Sequence, residues 1–129
     1  MKRILVVEDD NSLSVLLRLI MKVQQEDWDV NSAATGVEAL SQVEKFQPDL
    51  ILLDIMMPEM DGLEVARRLR NDERYRDQKI VILSALGDPE TRQKAEAVGV
   101  LEYWTKPISP DELRAGMLRV LGSEATDLL

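Results

Sequence analysis

The 129-residue sequence contains no histidine and no cysteine. Without cysteine there is neither a disulfide nor a thiolate metal site, which fits a reducing compartment. Without histidine, any acid–base or metal chemistry must run on carboxylates, hydroxyls and amines. No apolar run approaches the roughly 20 residues that span a bilayer. The start carries only Ile4 to Val7 before three acids, so no secretory leader is expected. A soluble cytoplasmic protein is the expectation. Bases are also in deficit, 16 against 24 acids for a formal net charge of −8, which disfavours direct nucleic-acid binding. The basic cluster Arg67, Arg68, Arg70, Arg74, Arg76 and Lys79 is interleaved with Asp72, Glu73 and Asp77 and reads as a solvated helix face.

What is present is a regular alternation in a chain of one-domain length. Ile4 to Val7, Leu50 to Leu53 and Ile80 to Leu83 are wholly aliphatic and read as strands buried on both faces. Val30 to Ala33, preceded by Trp28, and Val100 to Trp104 are mixed and suit sheet edges. Between them lie helical stripes: Leu13, Leu16, Leu17 and Ile20 after a cap at Asn11 or Ser12; Val37, Leu40 and Val43 within 36–46; Leu63, Ala66 and Leu69. Asp88-Pro89-Glu90 opens a fourth helix. Ser109-Pro110-Asp111-Glu112, a capping box, opens a fifth carrying Leu113, Met117, Val120 and Leu121. Five strand–helix units predict an α/β, doubly wound parallel sheet. Buried strands inside and mixed strands outside give the flavodoxin-like order 2-1-3-4-5. Residues 1–121 form the expected domain, and 122–129 read as a tail or linker stub.

In such a sheet the carboxyl ends of all strands share one rim, where ligands bind. Asp9 and Asp10 follow strand 1, Asp54 ends strand 3, Ser84 ends strand 4 and Lys106 follows strand 5. Carboxylates about 4 Å apart repel by roughly 4 kcal/mol at an effective dielectric of 20, so such acids call for a cation. Oxygen-only ligands select a hard ion, Mg²⁺ or Mn²⁺. A carboxylate beside a metal and a lysine suits phosphoryl transfer through an acyl phosphate. Singly, each residue has a plainer reading: Asp54 as a turn cap, Glu8-Asp9-Asp10 as a polar turn, Lys106 as a surface base, Ser84 as a strand-end hydroxyl. Convergence of four strand ends is what favours chemistry.

With Val-Val-Glu-Asp-Asp, Leu-Leu-Asp-Ile-Met-Met-Pro-Glu-Met-Asp-Gly, Ile-Leu-Ser-Ala and Thr-Lys-Pro at these spacings, the chain resembles the receiver domain of two-component response regulators over essentially its whole length. The resemblance implies that Asp54 accepts phosphate from a phosphohistidine on a partner, a sensor kinase or a phosphotransfer protein. It implies that Asp9 and Asp10, with Asp54 and the backbone carbonyl of Met56, hold Mg²⁺ directly or through water. It assigns Lys106 to the phosphoryl group, a cis peptide before Pro107, and a switch role to Ser84 and Tyr103. A downstream protein would then read the face formed by 88–98, 100–104 and 111–121. Trp104, Ile108 and the stretch Gln24 to Trp28 depart from the family pattern. Met56 and Leu86, both apolar, stand where the family tunes hydrolysis, so a long-lived phospho-Asp54 is expected. A phosphatase would want a second acid at Met56, and a flavin-phosphate carrier would not place three acids after strand 1. A phosphorylation-independent adaptor on the same fold is the standing alternative.

Overall fold

The computed structural model describes residues 1–122. Strands β1 (Lys2–Val7), β2 (Trp28–Ala33), β3 (Leu50–Leu53), β4 (Ile80–Ser84) and β5 (Glu102–Thr105) alternate with helices α1 (Ser12–Gln24), α2 (Gly36–Phe46), α3 (Gly62–Arg70), α4 (Pro89–Ala97) and α5 (Pro110–Leu121). The strands form one parallel sheet in the order β2-β1-β3-β4-β5, as the distribution of aliphatic residues requires. Strand alternation divides the core in two. Leu5, Val7, Ile51, Leu53, Ile80 and Ile82 meet α2 and α3 through Ala39, Val43, Leu63, Ala66 and Leu69. Ile4, Val6, Leu50, Leu52, Val81 and Leu83 meet α1 and α5 through Leu13, Leu17, Ile20, Leu113 and Met117.

Local chemistry sets the helix starts. Thr35, Asp61, Asp88 and Ser109 each accept a backbone N–H from the first turn of the helix they precede. Ser109 and Glu112 complete the capping box. At α1 Asn11 stands at the cap position, as expected, but makes no side-chain cap hydrogen bond. Glu8 Oε1 accepts from Leu13 N–H at 2.7 Å, and Asp10 Oδ1 accepts from Ser12 N–H at 2.9 Å, so two acids upstream satisfy the free donors.

Other boundaries shift for identifiable reasons. Strand β2 starts at Trp28, two residues before the expected Val30. Strand β5 starts at Glu102 because Val100 N–H turns back to Ala95 O, closing α4 through Gly99 at φ 75°. Gln25 takes the left-handed conformation (φ 59°) that ends α1. A 3₁₀ turn at Glu73–Tyr75 was not anticipated. Within the basic cluster, Arg67 and Arg68 pair with Glu64 on the surface. Arg70 instead donates to the carbonyls of Tyr75, Arg76, Val98 and Gly99 and fastens the α4–β5 turn to α3. Past Gly122, the expected tail lies outside the described residues.

Candidate functional site at the carboxyl rim of the sheet

Asp54 is the first residue past β3 and is 8% exposed. Its N–H donates to Val7 O at 2.9 Å, continuing the ladder one step. That fixes where the carboxylate stands. Oδ1 accepts from Met56 N–H at 3.1 Å, and Oδ2 faces Lys106 Nζ at 3.2 Å. Lys106 is brought there because its own N–H donates to Ser84 O at 2.9 Å, extending the β4–β5 pairing past Thr105. The Lys106–Pro107 peptide is cis. Ser84 is fully buried, and its Oγ accepts from Leu86 N–H at 3.3 Å. The end of β5 thus brings Lys106 to the carboxylate at the end of β3, and Ser84 ends the strand that lies between them.

The acids after β1 are arranged differently from expectation. Asp10 is exposed, and its Oδ1 also accepts from Ser12 Oγ at 2.6 Å; these hydrogen bonds hold its carboxyl below the usual range. Asp9 is exposed as well. The acid that enters the rim is Glu8, 2% exposed, directly past the Val7–Leu53 rung just as Asp54 is. Among the described residues no three acids form a ready metal cluster. Glu8 Oε2 is buried without a partner. Burial, aided by the negative charge of Asp10, pushes the Glu8 carboxyl up to about 7, against the opposing pull of Leu13 N–H and Lys106. Glu8 was legible in principle: Ile4 to Val7 and Leu50 to Leu53 are matched aliphatic runs, and Glu8 and Asp54 are the residues next after each.

The donor set fits a hard cation. An unpartnered buried carboxylate oxygen, an exposed acid beside it and Asp54 across the ladder supply oxygen ligands only. Mg²⁺ characteristically takes one or two carboxylates plus waters and phosphate oxygens, so no closed cage of three acids is needed.

Behind the rim, Tyr103 is half-buried and donates its hydroxyl to Leu86 O, and burial raises its phenol. Trp104 faces the opposite side of the sheet. It lies across Gly116 of α5, with its indole N–H on Glu102 Oε1 at 2.9 Å. Arg119 clamps the same carboxylate at 2.6 Å.

The family model for the response regulator receiver domain matches residues 4–117. The chain belongs to the response-regulator receiver family. It is 34% identical to sporulation initiation phosphotransferase F of Bacillus subtilis, over 93% of this chain and 94% of that one. It is 36% identical to the DNA-binding dual master transcriptional regulator RpaA of Synechocystis sp., over 94% of this chain and 49% of that protein. It is 41% identical to the cyclic di-GMP phosphodiesterase response regulator RpfG of Xanthomonas campestris, over 87% of this chain and 30% of that protein. The chain therefore spans about half or less of the length of these two regulators. The crystal structure of chemotaxis protein CheY4 of Vibrio cholerae superimposes with a TM-score of 0.79 at 32% identity, covering 93% of this chain and 98% of that one. The receiver domain is the phosphorylated module of two-component signalling; the family uses Mg²⁺ for phosphorylation and takes phosphate from histidine kinases. No helix among the described residues is long and apolar enough to cross a membrane.

Proposed function

We propose that Asp54 is the phosphoacceptor of this receiver domain and that its phosphorylation controls which protein the domain binds. The observation that carries this is Lys106 Nζ set 3.2 Å from Asp54 Oδ2, a pairing contributed by two strand ends with β4 between them. An Asp54 oxygen attacks phosphorus of a partner's phosphohistidine. The P–O bond forms as the P–N bond breaks, and the imidazole leaves neutral when its other ring nitrogen carries a proton. In this reading Lys106 neutralises phosphoryl oxygen charge, and the Ser84 hydroxyl donates to the same group once it is attached.

For Mg²⁺, Asp9, Asp54 and the Met56 backbone carbonyl remain the proposed ligands. Glu8, whose Oε2 has no partner, takes the place expected from the sequence for Asp10. When bound, Mg²⁺ supplies positive charge to the phosphoryl oxygens. The donor is a sensor histidine kinase or a histidine phosphotransfer protein, since this chain has no histidine of its own. The response is read on the face formed by 88–98, 100–104 and 111–121, in a cytoplasmic setting. A local charge change biasing a two-state surface is the general form of such a switch.

The test is incubation with Mg²⁺ and acetyl phosphate, wild type against Asp54→Asn. Covalent phosphate on Asp54 alone supports the reading. Wild-type protein that takes no label under these conditions overturns it in favour of a phosphorylation-independent adaptor.

A further inference from the structure

Helix α4 is attached in an unusual way. It buries a single residue, Ala95, so it lacks the apolar face that anchors the other helices. Two arginines hold its ends instead. At the carboxyl end, Arg70 grips Val98 O and Gly99 O, both at 2.9 Å, from α3. At the amino end, Arg92 does two things at once. Its Nε donates to Gly87 O at 3.1 Å, and its guanidinium lies over the Tyr103 ring, 4.6 Å from the centroid.

These contacts form a continuous chain. Ser84 Oγ accepts Leu86 N–H; Leu86 O accepts the Tyr103 hydroxyl; Tyr103 carries Arg92 on its ring; and Arg92 returns to Gly87 O. The loop 85–88 is closed from both sides, through adjacent peptides. A Cβ on Gly87 would sit 3.1 Å from Thr105 Cγ2, so the loop lies close against the end of β5 at this residue. A lysine cannot replace this geometry: only a planar guanidinium both stacks on a ring and donates along a fixed direction.

We propose that Arg92 is a positioning residue, a latch that holds the β4–α4 loop and Tyr103 together and so sets how readily α4 swings away from the rim about its Arg70 anchor. Four backbone carbonyls hold Arg70, and it is the fixed end. Arg92, exposed and bonded to one carbonyl and one ring, is the releasable end. The consequence for signalling, that this opening couples Asp54 to the α4 face, rests on the phosphoacceptor reading; the latch itself does not.

Residue-resolved amide hydrogen exchange tests it. Arg92→Ala and Arg92→Met on this exposed helix position leave the fold intact. Each speeds exchange of the Leu86 amide, whose N–H is bonded to Ser84 Oγ, about two- to fivefold, the factor that an exposed cation–π contact is worth. Tyr103→Phe loosens the same loop, and the double variant Arg92→Ala/Tyr103→Phe adds less than the sum of the two. Ile82 in β4 and Gly99 beside the Arg70 anchor keep their rates. Unchanged exchange at Leu86, acceleration spread evenly to Ile82, or strict additivity with Tyr103→Phe overturns the latch. Acetyl phosphate labelling of the same proteins separates the two claims: wild type without label refutes the phosphoacceptor reading, while the exchange data still decide on Arg92.

Discussion

Gly62 is the residue whose smallest change reaches furthest into the site. It opens α3, and a Cβ on it would lie 2.2 Å from the Asp54 backbone oxygen, 2.9 Å from the Asp54 carbonyl carbon and 3.0 Å from Ile55 Cα. A carbon meets a carbonyl oxygen comfortably at about 3.3 Å, so Gly62→Ala creates an overlap of about 1 Å. Neither side gives easily, because every atom struck is backbone. Asp54 N–H is tied to Val7 O at 2.9 Å, and Gly62 N–H to Ile55 O at 3.1 Å. Overpacking costs about 1–3 kcal/mol, and this site belongs near the top of that range. Alanine returns at most about 1 kcal/mol of helix propensity, which leaves a net loss of about 2 kcal/mol. Moving the Asp54 backbone by 1 Å also misaligns the carboxylate against Lys106, and a misplacement of that size costs on the order of 100-fold in rate. Urea unfolding measures the first effect. The initial rate of phosphorylation by acetyl phosphate, taken where both proteins are folded, measures the second. A Gly62→Ala protein as stable and as fast as wild type refutes the reasoning. Lost stability with an intact rate refutes its second half, placing the relief in α3 and not in Asp54.

Gly116→Ala should show opposite signs in two backgrounds. Its Cβ would meet Trp104 Cζ2 at 2.6 Å, so in wild type it loses up to about 1 kcal/mol in urea unfolding, whereas in Trp104→Ala it gains about 1 kcal/mol of helix propensity. The same sign in both would contradict that packing. Arg119, with help from the Trp104 indole, holds the Glu102 carboxyl below the usual range. A depressed carboxyl stabilises the fold above its unfolded value of about 4.3, and that contribution is lost as pH falls through the lower folded value. The margin of wild type over Glu102→Gln, below about 1 kcal/mol for so exposed a pair, should therefore be full at neutral pH and disappear in acid; a margin independent of pH would contradict it. Met56, 53% exposed, and Leu86, half-buried, offer no polar group to organise an attacking water. Phospho-Asp54 should consequently outlast seconds at neutral pH, and Met56→Asp or Leu86→Glu should shorten its life; decay within seconds in wild type would count against this.

The sheet order was legible because burial on both faces leaves a plain mark: three wholly aliphatic strands inside, with Asn31 and Glu102 tolerated only at the edges. The rim was legible for the same reason, since parallel strands deliver their next residues to one side. What the sequence hides is competition among like residues. Glu8, Asp9 and Asp10 are chemically alike, and the choice between burial and a helix cap is made by the pleat of β1 and the position of Leu13 N–H. Val100 is apolar enough for a strand, yet its N–H is spent on Ala95 O. Arg70 and Arg92 look like solvated charges because their partners are backbone carbonyls and a ring from another element, which no periodicity records.

The most direct measurement is the intact mass of the protein after exposure to Mg²⁺ and acetyl phosphate, with the adduct mapped by peptide analysis and repeated in Asp54→Asn and with EDTA. A single phosphate on Asp54, absent in the variant and after chelation, is the expected result. A protein that stays unmodified, or one modified equally in Asp54→Asn, would contradict the assignment of the rim as a phosphoacceptor site.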